Sequence, residues 1–85
     1  MNTRIERLRE VLESTLHPTL LAIRDDSAKH AGHAGAREGG HFHVVITAPG
    51  FAGIPALERH RMVYAAAAEL MGREIHALSI DARSP

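Results

Sequence analysis

The stretch HFHVVITA, residues 41 to 48, alternates along its length, with Phe42, Val44 and Ile46 on one face and His41, His43, Val45 and Thr47 on the other. A strand with a single apolar face must be covered by another layer, so the flanking segments decide the architecture. Pro49 and Gly50 end the strand. Upstream, residues 3 to 16 read as an amphipathic helix. Thr3 and Glu6 have the spacing of a capping box. Ile5, Leu8, Leu12 and Leu16 fall on one face, with Arg and Glu on the other. Pro18 stops this helix, because the residue before a proline is pushed out of the α region.

Thr19 to Asp25 reads as a first strand, although Leu20, Leu21, Ala22 and Ile23 form a nearly continuous apolar run. A helix is the alternative there; Pro18 and the short length favour the strand. Residues 26 to 40 form a long polar loop rich in Gly and Ala. Leu57 to Met71 reads as a second helix, with Pro55 suited to its first turn and Gly72 as its C-cap. Ile75 to Asp81 gives a last strand, with Leu78 and Ile80 facing the core. The order is helix, strand, strand, helix, strand. The first two strands are expected to pair antiparallel, and the helical crossover to make the next pair parallel and right-handed. The expectation is one α+β domain over residues 1 to 85, a three-stranded mixed sheet with both helices packed on one face.

Eighty-five residues bury only about 60 to 65 per cent of their unfolded surface, so the core is thin. The chain has no cysteine, so any iron or zinc it handles alone must be held by histidine, carboxylate or borrowed ligands. Formal charge is zero with histidine neutral, which gives no strong pull on nucleic acid or anionic membrane. Seven histidines make that balance sensitive to pH. No apolar run approaches the roughly 20 residues that cross a bilayer, and the N-terminus lacks the apolar core of a signal peptide. A soluble cytoplasmic protein without membrane contact is expected.

Four of the seven histidines lie in HAGHAGAREGGHFH, residues 30 to 43. A fifth, His60, falls within an apolar arc of the second helix formed by Leu57, Tyr64, Ala67 and Met71, while Arg59 and Arg61 point away on either side. Partial burial and the positive end of the helix dipole both disfavour imidazolium, leaving a lone pair for a metal. The alternative is a helix histidine satisfied by a backbone carbonyl.

FAGIPALERHRMVY, residues 51 to 64, resembles the signature of the BolA family, an F-x-G followed by R-H-R-x-V/I-Y. The resemblance continues in DDSAKH at 25 to 30, HFHVVI at 41 to 46 and HALSI at 76 to 80. It implies the helix–strand–strand–helix–strand fold read above, related in topology to type II KH domains. It also implies a non-enzymatic partner of CGFS-type monothiol glutaredoxins. The pair would hold a bridging 2Fe–2S cluster, with a glutaredoxin cysteine and a glutathione thiol on one side and two side chains of this chain on the other. Carried over by the resemblance, those two are His60 and His30, with His33 as a possible substitute. Two imidazoles on one iron raise a cluster's potential, as in Rieske centres. The apo form is expected to be a monomer or weak homodimer.

For Arg59 and Arg61, with Phe51 and Gly53, two roles compete: contact with glutathione or acidic groups of the glutaredoxin, or with nucleic-acid phosphates in a transcriptional regulator of BolA type. GFAG at 50 to 53 matches the KH G-x-x-G pattern literally, but it lacks a basic residue and follows a strand, so the match is taken as chance. His41 and His43 share a face of their strand about 7 Å apart and are read as solvated at the edge of the sheet. His76 is expected to pack locally, His17 to meet the C-terminal dipole of the first helix, and Tyr64 to belong to the core.

Overall fold

The computed structural model describes residues 3–27 and 40–85. Helix α1 covers Thr3–Leu16, strand β1 Leu20–Asp25, strand β2 Gly40–Thr47, helix α2 Ala56–Ala66 and strand β3 Ile75–Arg83. The strands form one sheet in the order β1-β2-β3, with β1 antiparallel and β3 parallel to β2. The α+β architecture and the sense of both strand pairings match the expectation.

Leu8 and Leu12 of α1 are fully buried and meet Phe42, Val44 and Ile46 of β2 in the core, which Val63 and Ala67 close from the α2 side. Thr3 is helical and stands at the edge of the described residues, so the capping box read from the sequence lies partly outside them. The apolar run of β1 still alternates: Leu21 and Ile23 pair with Ile46 and Val44 on the covered face, while Leu20 stays 47 % exposed on the other. His17 ends α1 with φ 50°, the left-handed region, immediately before Pro18. Arg7 of α1 forms an ion pair with Glu74, which ties the helix to the start of β3.

The second helix is shorter than the sequence suggests. Its i−4 hydrogen bonds last to Ala67, whose N–H donates to the Val63 carbonyl at 3.0 Å; the next turn, Ala68–Leu70, is a 3-10 turn. The alanines at 65 to 68 favour helix locally, but the chain must turn back to begin β3. Gly72 takes φ +80° in that turn and donates to the Ile75 carbonyl at 2.8 Å, so it closes the connection to β3 rather than capping α2. Pro55 precedes α2 as its cap residue, and its carbonyl accepts the Arg59 N–H. Leu57, expected within the apolar arc, is 60 % exposed. The buried stripe of α2 centres on Val63 and Ala67, so Leu57 falls beyond its edge.

Strand β3 departs from simple alternation once. Gly40 pairs with Ile75 but His41 pairs with Ala77, so β3 carries one extra residue, His76, opposite that step. This bulge lets both Ile75 and Leu78, of opposite parity, turn into the core. Gly40 is needed beside it: a Cβ there would collide with the Phe42 ring.

Candidate functional site

The residues singled out in the sequence fall into two neighbourhoods. The first surrounds the start of α2. His60 is half-buried, and its ring lies 5.0 Å from that of Tyr64, one turn on, at 36°. The Tyr64 hydroxyl donates to the Leu78 carbonyl at 2.8 Å, which makes this tyrosine a link between helix and sheet. Arg59 does not point away. Its Nε donates to the Ala82 carbonyl at 2.7 Å and its Nη1 to the Ile54 carbonyl at 2.5 Å. The guanidinium thus joins β3, the turn before α2 and the helix itself. Arg61 is the exposed member of the pair, bonded to Glu58 at 2.8 Å.

Phe51 is fully buried and cannot present its ring to a partner or a base, because it fills the core under the turn at Pro49–Phe51. Gly53 is exposed with φ +71°, in the turn whose Ile54 carbonyl Arg59 holds. Of the contact residues read from the sequence, Arg61 and Gly53 are the ones displayed.

The second neighbourhood lies at the end of the sheet where β2 and β3 begin. His30 and His33 lie outside the described residues; their segment leaves the sheet after Ser27 and returns at Gly40. Both ends of it are pinned there. The Asp26 N–H donates to the His41 carbonyl at 2.7 Å, the His41 N–H to Ser27 Oγ at 3.0 Å, and the Gly40 N–H to the Glu74 carbonyl at 3.0 Å. At this end the His41 and His76 rings are 5.0 Å apart at 42°. His43, two residues on, shares a hydrogen bond of 2.9 Å between its Nδ1 and Ser79 Oγ. His41 and His43 stand on the central strand β2, not at an edge of the sheet, whereas His76 stands on the edge strand β3.

The two neighbourhoods meet β3 at different points. Tyr64 and Arg59 bond to Leu78 and Ala82, so His60 stands beside the 78–82 part of β3. Asp26, Ser27 and Gly40, the described residues on either side of the segment with His30, meet His41 and the start of β3. The histidine pair that the structure does bring together, His41 with His76, was not singled out as a site. Its signal was weak but present: parallel pairing sets the first residues of HFHVVI and IHALSI side by side, and only the bulge decides that the two rings meet.

Among the described residues no group of three or more His, Asp or Glu is placed to hold a metal ion. Among the described residues no helix is long and apolar enough to cross a membrane.

The BolA-like protein family model matches residues 12–85. BolA-like protein 1 of Homo sapiens is 42 % identical over 78 residues, covering 92 % of this chain and 56 % of the human protein. The DNA-binding transcriptional regulator BolA of Escherichia coli (strain K12) is 37 % identical over 75 residues, covering 88 % of this chain and 70 % of that protein. The solved BolA domain of SufE1 from Arabidopsis thaliana superposes with a TM-score of 0.85 at 39 % identity, covering 100 % of this chain and 95 % of that one. The chain spans just over half the length of the first curated relatives it matches. With the family's fold present throughout and its model matched over most of the sequence, the chain belongs to the BolA family.

Proposed function

We propose that this chain is a non-enzymatic adaptor that binds a CGFS-type monothiol glutaredoxin and supplies two histidine ligands to a bridging 2Fe–2S cluster, for cluster trafficking or iron sensing. The glutaredoxin cysteine and glutathione supply the other side. The donor set supports this: it is cysteine-free, rich in histidine and, among the described residues, too sparse to hold a cluster alone.

The observation that carries the reading is where the segment bearing His30 is anchored. His30 follows Ser27 by three residues, and three residues span at most about 11 Å. Ser27 is bonded to His41, whose ring meets that of His76. Chain connectivity therefore favours His76, alongside His30, as the second ligand over His60, the residue carried over by the resemblance. The test is to mix the chain with a CGFS glutaredoxin, iron, sulfide and glutathione, and to record visible absorption and circular dichroism. A spectrum distinct from that of the glutaredoxin homodimer is expected. It should be lost in His76→Ala and His30→Ala, and retained in His60→Ala and His33→Ala. Loss in His60→Ala with retention in His76→Ala would return the ligand to α2; no distinct spectrum at all would end the adaptor reading.

Nucleic-acid binding is the second reading, favoured by the name of the Escherichia coli relative. The geometry offers it little. Arg59 is committed to two backbone carbonyls and Arg61 to Glu58. Sequence-specific, submicromolar binding to duplex DNA at physiological salt, without a partner, would place it first.

A further inference from the structure

The two edges of the sheet are finished differently. The order β1-β2-β3 leaves β1 and β3 each with one side that no strand of the sheet takes. On β3 that side is held by α2: the Tyr64 hydroxyl donates to the Leu78 carbonyl and the Arg59 Nε to the Ala82 carbonyl. Among the described residues no side chain and no strand takes the outer backbone groups of Leu21 and Ile23 on β1. We infer that this edge is an interface between copies of the chain. Strand β1 pairs antiparallel with β1 of a second copy about a two-fold axis, joining the two sheets into one. The pairing needs neither a cluster nor a glutaredoxin and stands whether or not the adaptor reading holds.

Which backbone groups face outward follows from one bond. The Asp26 N–H donates to the His41 carbonyl, and in an antiparallel ladder the bonded positions recur at every second residue. Along the register Ala22↔Val45 and Arg24↔His43, therefore, Leu20, Ala22 and Arg24 turn their N–H and C=O groups to β2, and Leu21 and Ile23 turn theirs outward. On β2 the alternate residues, from Gly40 onward, turn to β3, which leaves Leu78 and Ala82 facing out, as their bonds to α2 require. The Leu21 and Ile23 side chains lie on the helix-covered face and are only half-buried, while Leu20 is 47 % exposed on the other. Leu20 to Ile23 carry no charge, proline or bulge, the devices that keep an edge from pairing.

The sequence of β1 selects the partner, because it matches itself in one register. Paired residues of antiparallel strands share a face, so a slip of one residue sets covered side chains against open ones. With Ala22 on the axis, Leu21 stands opposite the partner's Ile23 on the covered face, and Leu20 opposite the partner's Arg24 on the open face. The outward N–H and C=O groups of Leu21 and Ile23 then meet as a bonded pair. Ala22 meets its own copy in the closer, non-bonded type of pair, where a small side chain fits and no charge faces its like. A slip of two residues either way opposes Ile23 to Thr19 or Leu21 to Asp25 and loses the apolar match. One short strand from each copy buries little surface, so the dimer is weak and forms in the apo chain at high concentration.

The experiment is sedimentation equilibrium of the full-length apo chain at low ionic strength, with wild type set against Ala22→Glu and Ala22→Lys. Ala22 is exposed, so neither substitution touches the core. The wild type should associate to a dimer as concentration rises. Like charges facing each other at the axis should lower the association constant about tenfold in either variant alone. An equimolar mixture of the two variants should recover it, since opposite charges then meet across the axis. Amide hydrogen exchange of the wild type, read by nuclear magnetic resonance, gives a second arm that needs no substitution. Exchange at Leu21 and Ile23 should slow with rising concentration, while that at Leu20, Ala22 and Arg24, already bonded to β2, stays constant. A wild type that remains monomeric, association undiminished in both variants, or a mixture that fails to recover would each overturn the inference. So would concentration-dependent protection that spares Leu21 and Ile23.

Discussion

The two histidine neighbourhoods are built from opposite materials. Around His60 the sequence is dense in recognisable residues, yet the structure spends most of them on scaffolding: Arg59 clasps two carbonyls, Tyr64 reaches Leu78, and Phe51 fills the core. Around His76 the sequence is plain, and the arrangement comes from a register step in a parallel ladder that sets two rings 5.0 Å apart. A conspicuous motif on a helix here marks how the helix is fastened. The His41 and His76 rings are brought together by strand pairing across more than thirty residues of sequence.

If the α2 neighbourhood is a fastening, its loss should cost stability and leave the histidine pair intact. Arg59→Ala removes two charge-assisted hydrogen bonds and leaves the Ile54 and Ala82 carbonyls without that donor. Such bonds contribute about 1.5–3 kcal/mol each, and non-additivity brings the expected loss to about 2–4 kcal/mol. Urea unfolding followed by circular dichroism measures it. An Arg59→Ala protein as stable as the wild type would make Arg59 a surface residue awaiting a partner after all.

The bulge end should respond differently, losing stability and geometry together. A methyl group at Gly40 collides with the Phe42 ring and forces it or the strand to shift. Overpacking of this kind costs about 1–3 kcal/mol. Because Gly40 sits at the register step opposite His76, Gly40→Ala should also weaken the spectrum of the complex with the glutaredoxin. Reduced stability with that spectrum untouched would separate the bulge from the site. Tyr64→Phe is the milder counterpart on α2: it removes one neutral hydrogen bond, about 0.5–1.5 kcal/mol, and should leave the spectrum of the complex with the glutaredoxin in place.

What the sequence made legible follows the same division. Periodicity sufficed for α1, because Leu8 and Leu12 repeat at helical spacing, and for β2, where Phe42, Val44 and Ile46 alternate into the core. It misjudged α2, since nothing in Ala65 to Ala68 disfavours helix; the break there is imposed by the return to β3 and the turn at Gly72. The direction of Arg59 was hidden because a long side chain reaches backward or forward from the same helical position, and its acceptors are backbone carbonyls that no sequence displays. The His41–His76 pair was half legible: parallel pairing could be read, but the bulge could not. Bulges depend on which residues the core accepts, here Ile75 and Leu78 together.

The smallest effect lies between the two neighbourhoods. Asp81 of β3 is hydrogen-bonded to Arg83, and that bond holds its carboxyl below the ordinary carboxylate range; His43 from the open face and Arg59 from α2 add weaker attraction. A carboxyl whose pKa is lower folded than unfolded favours the folded state wherever it is ionised. The contribution is fully present above the unfolded value, about pH 4, and is lost as pH falls through the folded value. Wild type and Asp81→Asn should therefore differ by a constant small amount from pH 5 to 8 and converge as pH falls below the folded value. The pair is solvent-exposed, so added salt should shrink the difference. Urea midpoints across that range provide the measurement. A gap that widens in acid would mean that Asp81 is stabilised by sharing a proton rather than by its cationic neighbours.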